Sequence, residues 1–183
     1  EHRGRVRSSL LEGLAGALKR YGAVCESHLA RLEALMLAVG ERLGLAEPVL
    51  HTLRLLARYH EIGKLAMADA ASQPDPPADS DSDAELVGGQ AGAFEVGRRI
   101  ALGISELAPV APYILKQGEN WDGSGRPSGL KGEDVPLECR ILQVCKAYDL
   151  AANRNEHTEP GSPEARAAAA AELTAGVGSR FDP

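Results

Sequence analysis

The sequence predicts an all-α fold, a helical bundle interrupted by one long glycine- and proline-rich loop. Three observations predict it. The apolar residues are mainly alanine and leucine, β-branched residues are few and aromatics make up 4%, a composition that favours helix over sheet. Apolar positions recur at helical spacing along most of the chain. No segment alternates with the period of two that a half-buried strand shows. The 183 residues, 44% hydrophobic and 25% charged, suit one domain with a packed core.

Residues 8–20, "SSLLEGLAGALKR", carry apolar residues at helical spacing and end on Lys19 and Arg20, cations that complement the negative end of a helix dipole. Residues 1–20 are therefore expected as a helix leading into a domain that spans 21–183. A second helix is expected over 26–45, with Leu29, Leu32, Leu35, Met36, Val39 and Leu43 in one stripe and Gly44 as its stop. Pro48 falls in the first turn of a third helix that runs to Gly63. Residues 70–85, "AASQPDPPADSDSDAE", hold no apolar side chain larger than alanine, which predicts a flexible loop. Helical spacing returns in "ELVGGQAGAFEVGRRIA", although Gly88, Gly89, Gly92 and Gly97 each cost up to about 1 kcal/mol relative to alanine. Either that helix is weak or a neighbour packs very close to its backbone.

"ELAPVAPYILKQ" predicts one or two further helices interrupted by prolines. Residues 119–136, "ENWDGSGRPSGLKGEDVP", form an extended loop with several enforced turns, and ordered loops of that length tend to carry function. "LECRILQVCKAYDLAANR" is the most apolar helix and is expected at the centre. A last helix opens on Ser162 as N-cap, Pro163 at the first position and Glu164 in the first turn.

The net charge of −6 argues against long nucleic acid, which needs clustered Lys and Arg, but leaves room for a small phosphorylated ligand. Cys25, Cys139 and Cys145 form no C-x-x-C pair and their number is odd. They read as reduced thiols packed in helices of a cytoplasmic protein. No apolar run approaches the ~18 residues of a membrane span, and no signal-peptide pattern opens the chain. The start, "EHRGRVRSSLLEGL", reads as the middle of a longer protein.

The chemistry concentrates at "ARYHEIGKLA", residues 57–66. A histidine beside a carboxylate, then a glycine turn and a lysine, is the set a metal-dependent phosphate hydrolase needs. Together "HEIGK", "ENWDGSGRPSGLKGEDVPLECRIL" and the closing "FDP" resemble the HD-GYP domain, a branch of the HD phosphohydrolases, from about residue 20 to the end. The resemblance implies an α-helical bundle that hydrolyses cyclic di-GMP with two or three iron or manganese ions. A hydroxide generated on such ions attacks the phosphodiester while the ions neutralise the developing charge.

Residue by residue, the match is partial. The early helix histidine of the family falls at His28, and its paired His-Asp at His60 and Glu61. Later ligand positions fall near Gly88, at Gln117 and Gly118, and at Lys146; the tyrosine of the Gly-Tyr-Pro motif is Arg126. Gly63, Lys64, Glu119, Asp122, Gly123, Gly125, Pro127, Gly129, Leu130, Arg140, Phe181, Asp182 and Pro183 match. The resemblance is to a degenerate member that keeps the scaffold and loses most of the metal cluster, so no cofactor is expected.

Two readings stand at each key residue. Lys146 either replaces a metal electrostatically by pairing with Glu61, or carries its ammonium out to solvent. His28, His60 and Glu61 either hold one iron or manganese ion, or the histidines are neutral and bonded to each other or to backbone. Lys64, Arg126 and Arg140 either face one pocket and bind a cyclic dinucleotide, or Lys64 and Arg140 brace the loop by pairing with Asp122 or Glu119. Asp122 belongs with these ligand-binding candidates. Trp121 and the loop glycines are read as architectural; in the family this loop is implicated in contacts with GGDEF domains.

The leading expectation is a signalling domain without phosphodiesterase activity that binds a partner protein, GGDEF-type or other, or cyclic di-GMP. The alternatives are a phosphodiesterase with a reduced metal site and a structural module that forms a homodimer.

Overall fold

The structure, a computed structural model, describes residues 11–18, 20, 25–65, 90–153 and 162–183. Residues 11–18 are helical. They are followed by α1 (Glu26–Arg42), α2 (Glu47–Tyr59), α3 (Gln90–Leu102), α4 (Ala111–Lys116), α5 (Leu137–Asn153) and α6 (Pro163–Ala175), with 3-10 turns at Ala108–Val110 and Gly132–Asp134. Among the described residues, extended pairing is confined to one isolated bridge between Val177 and Phe181. The fold is all-α, as the composition requires. The expected flexible loop over 70–85 and the glycines Gly88 and Gly89 lie outside the described residues.

The apolar stripes become the core. Leu29, Leu32 and Met36 of α1 are buried against Leu50, Leu53 and Leu56 of α2. Gly40 allows the two helices to close up, because a Cβ there would lie 2.7 Å from the Leu50 side chain. Leu43 departs from the expected stripe: α1 ends at Arg42, Gly44 turns the chain at φ +70°, and Leu43 is left exposed as the C-cap. Leu18 is buried in the same core, and the Tyr59 hydroxyl donates to the Leu11 carbonyl at 3.2 Å, which holds the first helical segment onto α2. Ser162 caps α6 through a bond from the Ala165 N–H at 3.2 Å.

Helix α5 is central, packed against α1, α2, α4 and α6. It buries Cys139 and Cys145, and burial pushes both thiols up to about 12. The third cysteine differs from expectation: Cys25 precedes α1 as its N-cap and is exposed.

Glycines in α3 have a packing reason. A Cβ on Gly63 would collide with the Ala93 carbonyl, and one on Gly97 would lie 2.9 Å from Ile114 Cγ2 and 3.2 Å from the Gly63 nitrogen. The backbone of the "HEIGK" turn therefore rests directly on the backbone of α3, and the helix is closely packed rather than weak. That contact fixes the orientation of His60, Glu61 and Lys64.

Candidate functional site

The site begins where α2 ends. His60 is the C-cap of α2 and is fully buried. Its Nδ1–H donates to the Ala57 carbonyl at 3.0 Å, so the neutral ring turns an Nε2 lone pair toward Glu61, whose Oε1 is 3.7 Å away. That Nε2 is buried and has no hydrogen-bond partner among the described residues. Burial first, and the Lys146 charge second, lower the ring's pKa to about 3, which keeps it neutral at physiological pH.

Glu61 Oε1 receives two ammonium groups, Lys64 at 2.8 Å and Lys146 at 3.1 Å. Burial alone would raise this carboxyl. His60, Lys146 and Lys64 outweigh it and pull the carboxyl down to about 2. Because His60 is itself neutral above about pH 3, the two lysines hold the carboxylate ionised at neutral pH. Lys146 lies on α5, so the pair ties α5 to the turn after α2.

His28 sits on α1, its ring edge-on to His60 with centroids 6.2 Å apart. Among the described residues it bonds neither to His60 nor to backbone. Its Nδ1 donates to Asp149 Oδ2 at 2.6 Å. Asp149, 2% exposed, also accepts Arg31 Nε at 2.5 Å, Arg31 Nη2 at 3.1 Å and Asn153 Nδ2 at 3.1 Å. Burial opposes its ionisation, but the Arg31 and His28 bonds hold its pKa below the usual carboxylate range.

The loop after α4 is built around Glu119. Its side chain is wholly buried and accepts the backbone N–H groups of Ser128 at 2.6 Å and Leu130 at 2.9 Å. Gly125 is required because a Cβ there would strike the backbone of Glu119 and Asn120. Gln143 of α5 donates to the carbonyls of Gln117, at 3.2 Å, and Glu119. The C-terminal turn joins the same loop: the Asp122 N–H donates to the Ser179 carbonyl at 2.8 Å and the Trp121 N–H to the Arg180 carbonyl at 3.3 Å.

The cations expected on one pocket are dispersed. Lys64 is paired with Glu61, and Arg140 Nη1 donates to Asp182 at 2.5 Å while its guanidinium lies 5.5 Å from the Trp121 ring centroid. Arg126 is exposed on the loop. Nor do Lys64 and Arg140 brace the loop through Asp122 or Glu119. Asp122 instead accepts the Ser124 N–H at 2.9 Å, and the Glu119 carboxylate is taken up by the backbone N–H groups of Ser128 and Leu130.

Two cavities meet at Lys146 and Phe94. The smaller, about 20 Å³, is bounded by His60, Glu61, Gly63 and Lys64 and is large enough for one water. The larger, about 250 Å³, is bounded by Gln117, Gly118, Asn120, Gln143 and Arg180.

The model of the HD domain family matches residues 14–183 of this sequence. The chain belongs to the HD domain family. A probable cyclic di-GMP phosphodiesterase of Vibrio cholerae is 30% identical to it, over 98% of this chain and 43% of that protein. The cyclic di-GMP phosphodiesterase response regulator RpfG of Xanthomonas campestris is also 30% identical, over 94% of this chain and 44% of its own length. A solved cyclic GMP-AMP-specific phosphodiesterase of Vibrio cholerae superposes with a TM-score of 0.66 at 22% identity, over 96% of this chain and 46% of that one, and so shares the fold. These names support the HD-GYP branch. This HD domain spans less than half the length of those relatives.

Three residues of the HD domain's site went unmarked in the sequence. Asp149 follows Lys146 by three residues and so shares its helix face, a spacing that could have flagged it. Arg31 and Arg180 carry no such signal, because tertiary contacts alone give them their places.

Proposed function

We propose that this HD domain does not hydrolyse cyclic di-GMP and acts in signalling by binding, with cyclic di-GMP or a partner protein domain of the GGDEF type as its ligand. The observation that carries the reading is the Lys146 ammonium 3.1 Å from Glu61 Oε1, the position of a cation beside the one carboxylate of the His-Glu pair.

The donor set supports it. Iron and manganese are held by several imidazole and carboxylate groups. His28, the third candidate, is engaged by Asp149, and Glu61 already serves two ammoniums. A divalent ion about 4 Å from Lys146 Nζ would be repelled by roughly 8 kcal/mol at an effective dielectric of 20. The described residues do not fit the metal that the family implies.

A second reading, a phosphodiesterase with a reduced one-metal site, draws on one specific observation. His60 Nε2 is buried, has no hydrogen-bond partner among the described residues, and faces a carboxylate oxygen 3.7 Å away. The two readings part in a hydrolysis assay with cyclic di-GMP and added iron(II) or manganese(II), run beside an active relative. No linear product is expected from this domain. Metal-dependent turnover abolished by His60→Ala would establish the second reading instead.

A further inference from the structure

The larger cavity beside Lys146 has a composition that packing does not explain. Two cations reach it from different elements, Lys146 from α5 and Arg180 from the C-terminal turn. Lys146 donates one of its three N–H groups to Glu61, which leaves two for other acceptors. No carboxylate among the described residues lies within ion-pair distance of Arg180, whose guanidinium rests 5.0 Å from the Phe181 ring centroid. Its backbone is held in place by the Trp121 and Asp122 bonds to the Arg180 and Ser179 carbonyls. Gln117 and Gln143 spend their amide N–H groups on backbone carbonyls, so the oxygens of these amides remain for hydroxyl or N–H donors of a ligand.

The charges around the cavity sum in favour of an anion. Lys146 and Arg180 both line it, and among the described residues no carboxylate does. That matches a phosphate dianion, and Arg with Lys is a recurrent pairing for phosphate oxygens. The volume of about 250 Å³ lies just below the roughly 300–1,000 Å³ of pockets that enclose a drug-sized ligand. It suits one phosphate with its attached sugar.

We propose that Lys146 and Arg180 bind the phosphate of a nucleoside monophosphate, or of another small phosphate ester, in this cavity without a metal ion. The inference rests on the reading above, in which a lysine stands where a metal would otherwise neutralise phosphate charge.

Calorimetric titration in the presence of EDTA tests it, with inorganic phosphate, guanosine monophosphate and cyclic di-GMP as probes. Saturable binding that resists EDTA and weakens with salt is expected, with the monophosphate bound more tightly than cyclic di-GMP. Arg180→Ala should weaken it by about tenfold or more with no change in the unfolding midpoint, since Arg180 is exposed. Lys146→Met should weaken it too, at some cost in stability. No saturable binding by any probe, loss of binding in EDTA, or equal affinity in Arg180→Ala would overturn the inference. Failure to bind phosphate leaves the non-hydrolysing reading intact, whereas metal-dependent turnover of cyclic di-GMP removes that reading and leaves EDTA-resistant binding to be judged separately.

Discussion

Replacing Lys146 with methionine keeps the length of the side chain and removes its charge, leaving Glu61 with one exposed ammonium, Lys64, 44% exposed. The size of the effect follows from the carboxyl. Its folded value of about 2 against an ordinary 4.5 corresponds to about 3 kcal/mol at 1.36 kcal/mol per unit. His60 is the largest of the lowering causes behind that value and is uncharged at neutral pH, so its share drops out and Lys146 and Lys64 divide only the remainder. Solvent screening discounts the exposed Lys64. Lys146, 23% exposed, is assigned the larger share of that remainder, about 1 kcal/mol, or roughly 2–4 °C in the melting midpoint of a domain this size.

The pH dependence has a definite sign. A depressed carboxyl stabilises the fold above its unfolded value near 4.5, and that contribution fades as pH falls toward 2. Lys146 also lowers the His60 ring, so its removal makes protonation of His60 in acid less costly. Both linkages shrink the difference between wild type and Lys146→Met as pH falls. Urea denaturation of the two proteins at neutral pH and again near pH 3 measures it. Equal stability at neutral pH, or a loss of the same size at both pH values, would refute the reasoning.

Other predictions follow from the same contacts. His60 is neutral in the fold, with a value of about 3 against 6.5 unfolded, so wild type should lose stability as pH falls through that window, by up to about 1.4 kcal/mol per pH unit, and His60→Gln should flatten the profile. Glu119→Gln puts an N–H₂ group against one of the two backbone donors that Glu119 now satisfies, which should cost about 1–3 kcal/mol in chemical denaturation. Asp149→Ala leaves the His28 ring without its acceptor while Arg31, 41% exposed, can turn to solvent, and a loss of about 1–3 kcal/mol is expected, whereas the double variant Asp149→Ala with Arg31→Ala should lose less than the sum of the single changes. Gly97→Ala places a methyl 2.9 Å from Ile114 and should destabilise by about 1–3 kcal/mol, read as a lower melting midpoint.

What the sequence made legible was mostly local. Helical spacing marked Leu29, Leu32 and Met36 as core. Gly44 and Ser162 marked a helix end and a helix start, because turn and cap chemistry acts within a few residues. The pairing of Lys146 with Glu61 was also legible, since a lysine at a ligand position inside an apolar helix needs a counter-charge. The partners of His28 and Arg140 were not. Asp149 is 121 residues from His28 and Asp182 is 42 residues from Arg140, and several acids were equally available on spacing alone. Arg180 was hidden for a different reason. It enters the cavity because the C-terminal turn bonds to the backbone of Trp121 and Asp122, a contact that no side-chain pattern encodes. The glycines of α3 admitted two explanations until the Gly63 backbone was seen to rest on the helix.

The central claim is that an ammonium, not a metal ion, neutralises Glu61. Elemental analysis of protein purified anaerobically from iron- and manganese-supplemented cells tests it most directly. A metal-to-protein ratio near zero is predicted. One or more tightly bound ions per chain would contradict the claim, since Lys146 would then have to leave Glu61 for His60 and Glu61 to hold the metal.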